Sequence, residues 1–103
     1  MQHQIKVVSH SDGVMVVELS GEIDASVYEE FDSVIFNSYN ADKCDVVLDC
    51  KNLAFIDSTI LGAIVRVFKQ LKSDGKKLTV KNLSPRIRKL FEICALDKLL
   101  ELE

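Results

Sequence analysis

The 103-residue sequence predicts one α/β domain, in which a mixed β-sheet of four or five strands carries several helices. Three observations support this fold class. Two short β-branched runs open the chain on either side of Asp12-Gly13, a dipeptide typical of hairpin turns. A strand, a helix and a strand follow one another between residues 44 and 82, which implies parallel pairing and a right-handed crossover. Hydrophobic residues make up 48% of the chain, as in ordinary globular domains.

The first half of the chain predicts two strands and a helix. The runs QIKVVS (residues 4–9) and VMVVEL (residues 14–19) are typical of two antiparallel strands. Apolar residues between positions 27 and 35 then recur at helical spacing. Ser26 followed by Glu29 has the form of a capping box, so we expect the helix to begin there.

The second half predicts the βαβ unit and a third helix. The run CDVVLDC (residues 44–50) is short and apolar, as expected of a central strand that is covered on both faces. From Ser58 the pattern is helical as far as Asp74-Gly75, where Gly75 provides a C-terminal cap. After a strand at residues 76–82, Ser84-Pro85 supplies a cap and the first residue of another helix. In the last nine residues the apolar positions fit neither the helical nor the strand period, and we assign no element to them.

Composition excludes several classes of function. The net charge of −3 comes from scattered residues and gives no electrostatic footprint for nucleic acid. Cys44, Cys50 and Cys94 lack Cys-x-x-Cys spacing, so we expect small buried hydrophobes in a reducing compartment. No stretch has the length and hydropathy of a signal peptide or a membrane span. We therefore expect a cytoplasmic protein that neither inserts into a membrane nor binds nucleic acid.

Little in the sequence points to catalysis. Ser58 lies in Ile-Asp-Ser-Thr-Ile, without the flanking glycines of a nucleophile elbow. The two histidines, His3 and His10, show no metal-ligand spacing, and we expect them at the surface. The four glycines form no phosphate-binding loop. We therefore expect no enzymatic activity, no metal and no cofactor.

The helix after Asp57 is apolar over an arc of roughly 200°, beside a narrow polar stripe that includes Arg66. This arc exceeds what one sheet face requires, and two interpretations stay open. Neighbouring helices bury the excess, or Ile60, Ala63 and Val67 form a partly exposed margin that contacts a partner.

Asp57, Ser58 and Thr59 interrupt the apolar sequence where this helix begins, and all three residue types are preferred helix caps. Three blocks of the chain carry a family resemblance: LSGEIDAS, VVLDCKNLAFIDSTILGAIV and KKLTVKNLSPRIRKLFEICALDKLLELE. In these blocks the chain resembles the STAS domain, specifically that of the bacterial anti-sigma-factor antagonists. The resemblance implies one STAS domain over residues 1–103, with a mixed sheet and helices.

The resemblance also implies a phosphorylation-controlled protein-interaction switch. In that family the serine after the aspartate is phosphorylated by the partner anti-sigma factor, which is a serine kinase, and by position this is Ser58. The unphosphorylated antagonist binds the anti-sigma factor and so frees the sigma factor that controls transcription. Phosphorylation releases the complex, and a separate serine phosphatase restores it.

The resemblance further implies a partner-binding surface on two loops. Its residues are Asp57, Ser58, Thr59, Ile60, Glu22, Asp24 and Ser26. For Asp57 the alternatives are capping and a place near the phosphate site of the kinase, and for the second loop they are turn formation and partner contact. Ile60 stands where many members have glycine, so we expect it to alter the surface beside the phosphoacceptor.

A second function is compatible with the same resemblance. STAS domains of similar length are accessory subunits of lipid-transport ATPases, where this surface docks constitutively on the transporter. The intact Ser58 hydroxyl and the Gly-Glu-Ile-Asp-Ala segment at residues 21–25 favour the regulatory switch.

Overall fold

The computed structural model describes residues 2–103, which form five strands, three α-helices and two short 3₁₀ turns. The strands are β1 (His3–Ser11), β2 (Val14–Ile23), β3 (Asp45–Ile56), β4 (Leu78–Lys81) and β5 (Glu101–Leu102). The helices are α1 (Tyr28–Ala41), α2 (Ser58–Ser73) and α3 (Pro85–Ile93), and the 3₁₀ turns are Ala25–Val27 and Leu96–Lys98.

The five strands form one mixed sheet in the order β1-β2-β3-β4-β5. β1 and β2 are antiparallel and are joined at Asp12-Gly13, where both residues have positive φ angles of 57° and 78°. All other neighbours are parallel. The predicted fold class, hairpin, βαβ pairing and central position of β3 are therefore confirmed. The unassigned C-terminus forms a 3₁₀ turn and the edge strand β5.

Only one face of the central strand lies in the core. Val46, Leu48 and Cys50 are buried, whereas the alternating residues Val47 and Asp49 are only partly buried. The expectation that this strand is covered on both faces is therefore wrong. The apolar Val47 makes the run look continuous, although the acidic residues beside it belong to a face that water reaches.

A local contact between Asp24 and Ser26 decides the start of α1. The 3₁₀ turn Ala25–Val27 precedes the helix, and the Asp24 carboxylate caps this turn by accepting from the backbone N–H and the hydroxyl of Ser26. The N-cap of α1 is Val27, which provides no side-chain hydrogen bond. The predicted capping box of Ser26 and Glu29 is therefore wrong, because the Ser26 hydroxyl donates to Asp24 instead.

The predicted caps of the other helices are confirmed. Gly75 has a φ of 73°, and its N–H donates to Lys72 O at 3.1 Å while Lys76 N–H donates to Leu71 O at 2.7 Å, as in a Schellman motif. Ser84 Oγ accepts from Ile87 N–H at 3.3 Å, with Pro85 at the first position of α3.

Neighbouring elements bury the wide apolar arc of α2. Ile60 and Val67 are fully buried and Ala63 is 2% exposed, so the alternative of a partly exposed margin is wrong. On the outer side, the Arg66 guanidinium lies 5.0 Å from the centre of the Phe36 ring and pairs with Asp32 of α1. These contacts hold the middle of α2 against α1.

Two of the three cysteines are buried as expected. Burial raises the pKa of the Cys50 thiol to about 12 and also raises the pKa of Cys44, because both sites disfavour the thiolate. Cys94 is exposed at the end of α3, so the expectation of burial is wrong for this residue.

The two histidines attach the edge strand to α1. His3 Nε2 lies 2.8 Å from Glu30 Oε1, and His10 Nε2 lies 3.0 Å from Asp42 O. Both rings are partly buried rather than fully at the surface. Within the described part of the chain, no helix is long and apolar enough to cross a membrane.

Candidate functional site

The predicted site residues meet at the carboxyl ends of β2 and β3. Ile23 and Ile56 are paired neighbours at the ends of these parallel strands. The chain leaves β2 into the 3₁₀ turn and leaves β3 into α2. Because both strands run in the same direction, the two loops lie side by side at one edge of the sheet.

Asp57 joins the two loops through its carboxylate. Oδ1 accepts from Ile60 N–H at 3.0 Å and thereby caps α2, while Oδ2 accepts from Ala25 N–H at 2.9 Å. The side chain is partly buried between them. Capping, the first of the two alternatives for Asp57, is therefore what the geometry shows, and the same group fixes the second loop beside the first.

Ser58 and Thr59 are the first two residues of α2, and both are exposed. The amides of Ile60 and Leu61 are already bonded to Asp57. The first-turn amides of Ser58 and Thr59 have no partner within the helix, as at every helix start. The Ser58 hydroxyl is thus open to another protein and lies beside the positive end of the helix dipole.

The structure does not bring Ile60 to this surface. Its side chain is fully buried and belongs to the hydrophobic core. The expectation that Ile60 contacts a partner is therefore wrong for its side chain. At the third position of α2 the helix face turns towards the sheet, so the extra bulk fills the core and leaves the Ser58 hydroxyl uncovered.

The end of β2 and the loop after it are brought to the site as expected. Glu22 and Asp24 are partly buried, and Ser26 is exposed. Hydrogen bonds from the Ser26 hydroxyl and backbone N–H lower the pKa of Asp24, so this carboxyl is ionised at neutral pH. Asp24 and Ser26 also have a local role, since they form the turn that presents Ala25 N–H to Asp57.

Gly21 is required by the backbone at the start of this segment. Its φ is +76°, and a Cβ there would lie 2.1 Å from Gln2 O. The N-terminal strand therefore passes too close to accept any other residue, and this approach fixes the path of the chain into the loop.

Two residues at this edge escape sequence reasoning. Phe55 is 43% exposed, although it lies in an apolar run directly before Ile56 and Asp57. Arg86 of α3 donates from Nη2 to Ala54 O at 2.9 Å, which brings a cation to the same end of β3. The exposure of Phe55 depends on bulges in the pairing of β3, and bulges leave no clear composition pattern.

Comparisons with known proteins agree with this fold. The STAS domain family model matches residues 6–103. The anti-sigma F factor antagonist of Paenibacillus polymyxa is 31% identical over 101 residues, which cover 97% of this chain and 86% of that protein.

Solved structures show the same fold. A crystal structure of an anti-sigma factor antagonist from Mycobacterium paratuberculosis has a TM-score of 0.81 and 28% identity, covering 98% of this chain and 85% of that one. The structure of the Bacillus cell fate determinant SpoIIAA in its phosphorylated form has a TM-score of 0.74 and 21% identity, covering 99% and 91% of the two chains.

Proposed function

The chain belongs to the STAS domain family and within it to the bacterial anti-sigma factor antagonists, and we propose that it is a partner-switching antagonist controlled by phosphorylation of Ser58. Unphosphorylated, it binds an anti-sigma factor that is a serine kinase, and the sigma factor is released to direct transcription. The observation that carries the proposal is the exposed Ser58 hydroxyl at the first position of α2, within the Ile-Asp-Ser-Thr segment. The chain itself has a binding role and no catalytic one.

The kinase reaction requires this chain only to expose and position the Ser58 hydroxyl. The kinase transfers the γ-phosphoryl group of ATP to Ser58 Oγ, the hydroxyl proton passes to a base on the kinase, and ADP is left. Asp57 positions the acceptor by capping α2, and its two oxygens are already occupied by Ile60 and Ala25 amides. Asp57 is therefore a positioning residue rather than the base.

The domain should remain folded when Ser58 carries phosphate. The group lies outside the core, beside the unbonded amides and positive dipole of the first turn of α2, where an anion is favoured. Phosphorylation therefore changes what the surface can bind and leaves the sheet and its core intact.

Release of the partner follows from charge and space. Phosphate adds a charge of about −1.5 to −2 at neutral pH. A kinase that has just modified Ser58 has its nucleotide phosphates at the same place, so the product phosphate meets like charge across the interface. Every 1.4 kcal/mol of such repulsion or lost fit weakens binding about tenfold. A separate serine phosphatase then restores the binding form.

The remaining residues of the two loops form the contact surface around the acceptor. Thr59 follows Ser58 on α2, whereas Glu22, Asp24 and Ser26 belong to the segment that Asp57 binds through Ala25 N–H, and all four retain accessible surface. Thr59 is a second exposed hydroxyl, and the family resemblance ranks it behind Ser58 as acceptor. Thr59→Ala is therefore a matched control for the loss of one hydroxyl on the same turn.

The test combines the protein with the anti-sigma factor kinase encoded beside its gene, or with each such kinase of its genome, and ATP. Mass spectrometry should locate one phosphate on Ser58, absent from Ser58→Ala and present in Thr59→Ala. Phosphate on another residue, or phosphate that persists in Ser58→Ala, refutes the assignment.

Binding should follow modification. Calorimetry with the same kinase and ADP should show tight binding of the unmodified protein and at least tenfold weaker binding of the purified phosphoprotein. Equal affinity of the two forms contradicts the switch. Ser58→Asp should weaken binding in the same direction, by less than phosphate does because it carries a smaller charge.

A further inference from the structure

Phe55 exposes an unusual amount of apolar surface for a residue inside the longest strand. Its side chain is 43% exposed, whereas the flanking inward residues Leu53 and Ile56 are 5% and 1% exposed. It is the penultimate residue of β3 and precedes Asp57 by two positions. An aromatic ring therefore stands at the edge of the sheet from which α2 and Ser58 begin.

The backbone turns this ring outward. Successive strand residues point to opposite faces, so an inward Leu53 would ordinarily be followed by an inward Phe55. The β2–β3 register instead shifts between Gly21 and Glu22, after which Glu22 pairs with Phe55. This bulge reverses the alternation, so that Ile56 enters the core and Phe55 leaves it.

The surroundings of Phe55 are charged and ordered. Glu22 is its neighbour on β2. Arg86 donates from Nη2 to the carbonyl of the preceding residue, Ala54, at 2.9 Å. An exposed apolar ring with an acidic residue on the neighbouring strand and a basic residue bonded to the preceding carbonyl has the composition of an interface anchor with a polar rim.

We infer that Phe55 is the apolar anchor by which the unphosphorylated chain binds its anti-sigma factor, and that the kinase has an apolar pocket beside its acceptor-binding site to receive the ring. This inference rests on the proposed function. Continuity argues for this occupant, because Phe55 and Ser58 lie three residues apart on one exposed edge and a partner that reaches Ser58 covers both.

The anchor gives the partner a contact that phosphorylation does not alter. The charge added at Ser58 acts at the acceptor, while the ring contributes equally before and after transfer. Loss of the ring should therefore weaken binding in both states by a similar factor. In kinase assays it should raise KM for this protein and leave kcat nearly unchanged, since the ring touches no reacting atom.

The matched control is Val8, which is 42% exposed and lies on the edge strand β1. Phe55→Ala and Val8→Ala both truncate a partly exposed apolar side chain, and only the first lies beside Ser58. Phe55→Leu keeps apolar bulk without the ring. Urea unfolding midpoints of all three variants establish that each is folded at the assay temperature.

Calorimetry with the anti-sigma factor kinase and ADP should give at least tenfold weaker binding for Phe55→Ala, a smaller loss for Phe55→Leu and a change within twofold for Val8→Ala. If the wild type binds and Phe55→Ala binds equally well, the anchor is refuted while the proposed function stands. The anchor is also refuted if Val8→Ala loses as much affinity as Phe55→Ala. If the wild type itself does not bind, the proposed function fails, and the anchor fails with it.

Discussion

Replacing Asp57 by asparagine separates the two structural roles of its carboxylate. Asparagine caps helices about as well as aspartate, so capping alone predicts little change in stability. In the native protein, however, Oδ1 accepts from Ile60 and Oδ2 accepts from Ala25. An amide has one acceptor oxygen, and its NH₂ group would face an N–H donor, so one of the two bonds must be lost.

The structure sets the size of the effect. A lost hydrogen bond to a charged, partly exposed acceptor costs about 1 kcal/mol, with a few tenths more for the charge removed from the helix start. Asp57→Ala loses both bonds and should cost about 2–3 kcal/mol. Ser84→Ala, which removes only the single cap of α3, should cost about 1 kcal/mol. In a domain of this size each kcal/mol lowers Tm by about 4–8 °C.

Urea unfolding gives the free energies, and native-state hydrogen exchange follows the amides of Ala25 and Ile60 individually. In Asp57→Asn one of these two amides should lose protection while the rest of the core keeps it. If Asp57→Asn unfolds at the wild-type midpoint and both amides remain protected, the carboxylate does not join the loops. The loop after β2 would then not be held beside the first turn of α2 by Asp57.

Three further outcomes follow from the fold. Gly21→Ala should destabilise the domain by more than about 2 kcal/mol in urea unfolding, because residue 21 has a φ of +76° and the added Cβ would collide with backbone atoms. Gly62→Ala should instead stabilise the domain by about 0.5–1 kcal/mol, because a Cβ at this position of α2 has free space. The hydrogen bond from the Asn82 amide holds the pKa of Asp49 below its ordinary value of 3.8. The ionised Asp49 carboxylate therefore stabilises the domain above that pH, and this stabilisation is lost on acidification below it. Asp49→Asn should flatten the fall in the urea unfolding midpoint between pH 4 and pH 2. A maleimide should label Cys94 alone in the native protein, and the two buried thiols only after unfolding, as peptide mapping would show.

Local signals predict the elements but do not decide between competing hydrogen-bond partners. The turn at Asp12-Gly13 and the cap at Gly75 depend on backbone conformations that few residues accept, so their residue types suffice to place them. The supposed capping box of Ser26 and Glu29 has the right spacing, yet a 3₁₀ turn intervenes because Asp24 binds the serine hydroxyl more closely. Spacing identifies which groups can bond, and the fold decides which of them do.

The composition of the site is predictable from the sequence, whereas the orientation of its side chains is not. Ser58 is identified by its place in a family pattern, which states nothing about exposure, and the structure adds that the hydroxyl is accessible. Ile60 and Phe55 depart from the sequence pattern in opposite senses. Ile60 lies in the core because α2 turns that face to the sheet. Phe55 is exposed because a bulge reverses the alternation of side chains along β3. The first outcome depends on how α2 packs on the sheet and the second on strand register, and a single sequence specifies neither.

The polar segment at the start of α2 divides two tasks among adjacent residues. Asp57 stabilises the structure, since both of its carboxylate oxygens accept hydrogen bonds within the domain. Loss of this side chain would remove the helix cap and the bond between the two loops. Ser58 is the first residue of α2, its side chain is exposed, and it does not serve as the cap. A serine that capped the helix would have its Oγ bonded to a first-turn amide, and a phosphate added to that oxygen would have to rearrange the cap. Because aspartate holds the cap, the neighbouring hydroxyl can gain and lose a phosphate while the helix start stays the same, as a reversible switch requires.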